Sequence, residues 1–329
     1  MLRLILQRIG FGVLVLWIVS VIVFVATQAL PGDAAVSILG RDATPERLAA
    51  LRSQLGLDRP LIWQYLDWSR GLLVGDLGMS LAARTPVADL LSSRLANSAF
   101  LVGAAAVITL PLSMFIGIVT AIRRDRLVDQ VLTNTMLGLA ALPEFVVGIS
   151  LILIFATGLF SVLPAVSLID LSQPLSTQLE FVLLPAATLV IAVTPYISRM
   201  MRASMIDVLE SEYVQTARLK GLSERTVILR HALPNALIPA IQVAALQMAW
   251  LAGGVVLVEV VFRYPGIGEA LVDAVSNRDL PVIQALTMLA GAIYVALNVV
   301  ADVMTVLASP RTRTGLRRGP KGLETAEKS

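Results

Sequence analysis

From Leu95 to Ile122 the chain carries no charged side chain, and this stretch is one of seven. The others run from Ile9 to Gly32, Gln130 to Pro143, Phe145 to Ile169, Phe181 to Ser198, Ala232 to Val258 and Leu280 to Ala301. A helix rises about 1.5 Å per residue, so roughly 20 residues cross a hydrocarbon core of about 30 Å. Most of these stretches are long enough alone, and the two on either side of Glu144 read as one interrupted span. The expected fold is an all-α integral membrane protein with six transmembrane helices. Buried helices of a large soluble protein would leave far more charge between them than the 15% found here.

The basic residues orient the chain. Arg3 and Arg8 precede the first span, and Arg123, Arg124 and Arg126 fill the link between the second and third. Arg199, Arg202, Arg218, Lys220, Arg225 and Arg230 lie between the fourth and fifth, and a basic run from Arg311 to Lys328 follows the sixth. Cytoplasmic loops carry the excess of Lys and Arg, so both termini are expected inside. The expected layout is a first transmembrane helix in 1–30, a folded external domain in 31–94, a five-helix core in 95–307 and a basic cytoplasmic tail in 308–329. The seven arginines of 31–94 are balanced by seven acids, and long loops are translocated largely regardless of charge. Within that domain Thr44-Pro45-Glu46 reads as a helix start, and Trp63, Tyr65 and Trp68 as an interfacial helix. The first span is too long for a secretory core and reads as a retained helix.

Composition excludes several kinds of chemistry. With no cysteine there is neither a disulfide framework nor a Cys-ligated metal site, and the single histidine, His231, rules out a multi-histidine centre. A net charge of +3 gives no reason to expect nucleic acid. No catalytic, cofactor-binding or metal-ligating residue is assigned.

The informative segment lies between the fourth and fifth spans, over about 203–234. It reads as two short amphipathic helices separated by Gly221, with Val208, Tyr213, Val214 and Ala217 on one face and Glu210, Glu212, Arg218 and Lys220 in water. Gly221 supplies a left-handed turn, Ser223 stands where it can cap the second helix, and Pro234 marks where the chain turns into the membrane. Such a charged helical hairpin suggests a docking knob for a partner.

Here the chain resembles the permeases of ATP-driven bacterial importers. Their cytoplasmic signature is Glu-Ala-Ala, three residues, Gly, nine residues, Ile, one residue, Leu-Pro. Gly221, Leu233 and Pro234 fall at the required offsets and Ala217 matches the second alanine, while Gln215, Thr216 and His231 replace the Glu, first Ala and Ile. These departures resemble the dipeptide/oligopeptide/nickel branch, as do Glu212 to Ser223 and Arg230 to Leu233. Further fragments resemble the B-type permease of that branch along almost the whole chain. They include Leu30 to Asp33, Leu55 to Pro60, Gly75 to Ser80, Glu259 to Gly268, Arg278 to Val282 and Asp302.

The resemblance implies a bacterial inner-membrane subunit of a binding-protein-dependent importer, with di- or oligopeptides as the solute and nickel complexes or other small solutes as the alternative. It implies a second, C-type permease, one or two cytoplasmic ATPases carrying ATP and Mg, and an extracellular or periplasmic substrate-binding protein. Coupling to the ATPase would fall to Glu212, Tyr213, Thr216, Ala217, Arg218, Lys220, Gly221, Leu233 and Pro234. The chain has no Gly-Lys dipeptide and hence no phosphate-binding loop of its own, so it is not expected to be an enzyme.

Three acids border apolar stretches, where an ionised group costs roughly 2.5 to 3.5 kcal/mol on insertion scales. Glu144 reads either as lining the pathway at a helix break or as an interfacial or hydrogen-bonded structural group. Glu259 reads as an external-gate or interface residue, and Asp302 as structural. Gly253-Gly254 suggests a close helix crossing or a hinge. A proton- or sodium-driven carrier would also have six spans and buried acids, but it would not need the hairpin or the external domain.

Overall fold

The computed structural model describes residues 2–29, 44–54, 58–170, 173 and 177–308. Residues 30–33, 55–57 and the basic tail from 309 onward, on which part of the sequence reading rests, lie outside the described residues, as does the side chain of Asp302. Among the described residues the regular elements are all helices, with one isolated bridge between Met79 and Pro86 and no strand.

Helix α1 spans Leu2–Ala29, α2 Pro45–Gln54 and α3 Leu61–Val74. Thr44 precedes α2 as expected, its hydroxyl accepting the Arg47 N–H at 3.4 Å. Of the three aromatic residues of α3, Trp63 is exposed, beside exposed Leu61 and Ile62. Tyr65 and Trp68 turn inward onto Phe24 of α1, with ring centroids 5.5 and 5.7 Å away, and the Tyr65 hydroxyl meets Ser20 Oγ at 2.9 Å. Packing against α1 buries more ring surface than a headgroup position would, and it satisfies the phenol.

Helix α4 (Val87–Ile122), the broken pair α5 (Leu127–Ala140) and α6 (Glu144–Ile152), and α7 (Leu179–Leu209) follow. The pair bends by 103° at its break. Pro143 has no N–H to give and pushes the preceding residue out of helical backbone, so a new helix starts at Glu144. A π-helical turn, Leu153–Thr157, ends α6.

After the hairpin helix α8 (Glu212–Leu219), a single turn α9 (Glu224–Thr226) passes through a π-helical stretch (Val227–Ala232) into α10 (Leu233–Phe262). Helix α11 (Ile267–Ser276) and α12 (Leu280–Ala308) complete the chain. Among the described residues five helices are long and apolar enough to cross a bilayer, and the pair α5 and α6 makes a sixth if it counts as one span.

The core is built around α7, which packs most extensively on α4 and then on α10. Leu101, Leu189, Val193, Ile197, Leu251 and Phe262 are buried together there. Helices α4 and α7 approach so closely at Gly117 that a β-carbon would stand 2.6 Å from Met201 Cβ and Ser198 O. This is the close crossing of small residues that lipid-embedded helices use where the hydrophobic effect gives them no reason to associate. The sequence suggested a close crossing or a hinge at Gly253-Gly254. Gly253 has nothing within 4 Å of a β-carbon position, and at Gly254 Glu144 Oε2 of the neighbouring helix would stand 3.5 Å away, an ordinary contact distance. Large apolar side chains elsewhere face outward, among them Phe11, Trp17, Val107 and Phe115. Water would penalise that exposure, and lipid does not.

Candidate functional site: the hairpin and the charges beneath it

The hairpin between α7 and α10 has its own small core. Val214, Ala217 and Val227 are buried together, with Val208 and Leu209 packed against them. Tyr213 departs from the expected pattern and lies outside this face, exposed. Its hydroxyl donates to the His231 carbonyl at 3.3 Å and accepts from Asn235 Nδ2 at 3.0 Å. At 100° per residue it falls on the flank of the stripe made by Val214 and Ala217, and there its phenol finds polar partners.

Much of 203–234 is regular helix. Helix α7 continues to Leu209, and Ser211 begins α8 in extended backbone. Leu219 ends α8, and Gly221 follows at φ +73°. A β-carbon at Gly221 would touch nothing within 4 Å, so backbone conformation alone calls for glycine there.

Ser223 occupies the cap position, but its hydroxyl meets Thr226 Oγ1 at 2.8 Å and no backbone N–H. The chain does not turn at Pro234, the second residue of α10. The wider π-helical stretch just before it shifts the bonding pattern where proline has no donor, and the helix runs on unbroken. Leu233 packs against the cluster of Met201, Met205 and Ala236, which ties the hairpin to both membrane helices.

Arg218 closes the hairpin. Its Nη2 and Nε donate to the two oxygens of Glu224 at 2.7 and 3.2 Å, and the pairing raises the guanidinium above its ordinary range. Arg218 was expected in water and is instead about one third exposed. Thr216 bonds back to the Glu212 carbonyl at 2.9 Å, leaving Glu212, Thr216 and Lys220 on the open side. Leu219 is 88% exposed and Leu222 40%. Sequence periodicity alone did not single these two out. These two leucines form an exposed apolar patch at the tip of a folded, largely polar hairpin.

Two ion pairs root the hairpin. Arg124, in the turn after α4, pairs with Glu210. Deeper, Arg202 of α7 donates from Nε and Nη2 to the two oxygens of Asp129 at 2.8 and 2.7 Å, and Asp129 also accepts from Thr133 Oγ1 and the Asp125 N–H. Asp129 is buried. In the sequence Arg202 counted only as a cytoplasmic charge. Pairing with a residue 73 positions away cannot be read from spacing.

Glu144 and Glu259 sit apart from the hairpin. Glu144 is half-buried at the first position of α6, and a β-carbon at Gly254 would stand 3.5 Å from its Oε2. Glu259 is fully buried. Its Oε2 accepts the N–H groups of Gly268 and Glu269 at 2.6 and 3.3 Å, the free amides opening α11, and Oε1 accepts the Ser98 hydroxyl at 2.5 Å. A carboxylate at a helix N-terminus answers both unpaired donors and the positive dipole end. Gly266 has no room for a side chain, because a β-carbon would overlap the Glu259 carboxylate.

Comparison with known proteins fits this architecture. Residues 113–314 match the family described as the binding-protein-dependent transport system inner membrane component, and residues 1–101 match its N-terminal membrane component. The glutathione transport system permease protein GsiC of Escherichia coli K12 is 37% identical over 313 residues, which is 95% of this chain and 99% of the relative. A putative peptide transport system permease protein of Brucella abortus is 36% identical over 314 residues, again 95% of this chain and 99% of the relative. The chain is a multi-pass inner-membrane permease subunit, not itself a catalyst, and belongs to the family of binding-protein-dependent transport system inner membrane components.

Proposed function

We propose that this chain forms part of a transmembrane pathway for small peptides and that a cytoplasmic ATPase drives it through the hairpin centred on Gly221. The observation that carries this reading is the exposed Leu219 and Leu222 tip on a hairpin that is itself folded and rooted in α7 and α10. A rigid knob seated in a moving partner tilts the helices attached to it, and tilting helices around a solute is how alternating access is produced. Glu212, Tyr213, Thr216, Ala217, Arg218, Lys220, Gly221, Leu233 and Pro234 serve the knob in different ways. Ala217 and Leu233 build it, Gly221 turns it, Arg218 staples it, and Glu212, Thr216 and Lys220 face the partner.

In this reading six spans place both termini and the hairpin in the cytoplasm. Helices α2 and α3 are external, a second permease completes the pathway, and a binding protein delivers solute. ATP and Mg belong to the ATPase. Peptide is favoured as solute because similar permeases are named for glutathione and for peptide transport. Glu144 lines the pathway, while Glu259 holds the outer end of α10 to α11 as part of an external gate. Co-expression with its neighbouring transport subunits and reconstitution into vesicles tests this. ATP-dependent uptake of a labelled tripeptide that requires the binding protein is the expected result. Uptake by the chain alone on an ion gradient would overturn it.

A further inference from the structure

Several charged groups beside the apolar stretches of this chain are neutralised. Asp129 pairs with Arg202, Arg94 with Glu269 at 3.0 Å, and Glu259 is taken up by the N-terminus of α11. Half-buried Glu144 and exposed Arg199 have no hydrogen-bond or ion-pair partner among the described residues. An unpaired acid bordering an apolar stretch, as Glu144 is, is costly and marks a candidate contact for a passing ligand or ion. Arg199, just past the uncharged stretch of α7, is an exposed cation open to such a ligand.

Both groups face the same side of α10. Glu144 reaches α10 at Gly254, where a β-carbon would stand 3.5 Å from its Oε2 and 3.4 Å from the Trp250 ring. Arg199 lines a cavity of about 540 Å³ between α5, α7 and α10, with Thr133, Tyr196 and Gln247 adding two hydroxyls and an amide. That volume falls within the range of small-molecule sites. Gln247 and Gly254 are seven residues apart, which is two helical turns, so they share a face and lie about 10 Å apart along the axis. Gln247 is nearer the hairpin.

A free peptide carries an ammonium at one end and a carboxylate at the other, and its chain extends about 3.3 to 3.6 Å per residue. Three residues therefore span about 10 Å. We propose that Glu144 and Arg199 form a two-point site for a zwitterionic peptide of about three residues, with Glu144 taking the terminal ammonium and Arg199 the terminal carboxylate. Arginine suits the second task because its planar fork meets both carboxylate oxygens at once. The site rests on the peptide-import reading and adds the chemical features that the pathway selects.

The test is uptake by the complete reconstituted transporter of tri-alanine, its C-terminal amide and its N-acetyl derivative. Each rate is divided by the separately measured loading of the binding protein with the same probe, so that the binding protein's own selectivity drops out. Wild type should favour free tri-alanine over either blocked form by about tenfold. Arg199→Gln should abolish the preference over the amide and keep the preference over the N-acetyl form, and Glu144→Gln should do the reverse. Arg199→Lys should recover part of the carboxylate preference.

Equal losses for all three probes would mean a coupling or assembly defect and would overturn the site. So would an Arg199→Gln effect that follows the anionic lipid content of the vesicle and ignores the probe's carboxylate. If wild type imports all three alike, the site falls and the peptide reading stands. If it imports none, the peptide reading fails and takes the site with it.

Discussion

Asp279 holds the hydroxyl of Ser80, 199 residues away, at 2.5 Å, and the same carboxylate accepts the backbone N–H groups of Leu81 and Ala82 at 3.1 and 3.2 Å. This one side chain therefore fixes the loop between α3 and α4 to the start of α12. Two sequence fragments that were separately informative, Gly75 to Ser80 and Arg278 to Val282, meet at this point. Asp279→Ala would leave three donors without their acceptor. Charge-assisted bonds are worth about 1.5 to 3 kcal/mol each, and water recovers part of that at the loop. A loss of at least about 2 kcal/mol is expected, seen as faster proteolysis within 78–86 and a lower melting temperature in detergent. Unchanged protease resistance would remove Asp279 from this role.

The same contact determines how topology should be mapped. Ser80 lies in the loop between α3 and α4 but is 3% exposed and bonded, so it is a poor position for a cysteine probe. Ala83 is exposed three residues on. Ala83→Cys should react with an impermeant thiol reagent on intact cells, and Ser223→Cys only after permeabilisation. The opposite pattern would invert the orientation.

At the C-terminal end of α10, the cap made by Glu259 leaves no room for change at Gly266. Gly266→Ala should prevent accumulation of folded protein, because its β-carbon would overlap a carboxylate that the amides of α11 and Ser98 hold in place. Glu259→Gln should be milder, costing about 1 to 3 kcal/mol, since an amide oxygen can still accept but the helix N-terminus loses its anion. Thermal unfolding of the purified complex separates the two. Equal tolerance of both substitutions would contradict the cap.

The long apolar helices, the break before Glu144 and the hairpin turn at Gly221 were all legible in the sequence. Each follows from a local rule: length of apolar run, a missing donor, or a required left-handed φ. What charges pair with was not legible. Arg202 looked like one more cytoplasmic cation and proved to be the buried partner of Asp129, because that contact depends on how α5 lies against α7. Tyr213 went to the wrong face for a related reason. Periodicity ranks it with the apolar stripe, whereas the His231 carbonyl and Asn235, brought over by the returning helix, give its hydroxyl a better place outside.

Arg218 and Glu224 form a half-exposed pair, worth at most about 1 kcal/mol to stability. Arg218→Glu should therefore leave the amount of assembled chain nearly unchanged while lowering transport several-fold, because the hairpin tip loses its staple. The exchange Arg218→Glu with Glu224→Arg should restore much of that loss. If the double variant is no better than the single, Arg218 acts directly on the partner and not on the hairpin's shape.

Gly221→Pro tests the hairpin most directly. Proline is fixed near φ −65°, and the turn needs +73°. Measured in vesicles with the binding protein and the ATPase present, this variant should insert at normal levels, keep some ATP hydrolysis and lose peptide uptake. Normal uptake by Gly221→Pro would mean that the ATPase moves this permease through some other surface.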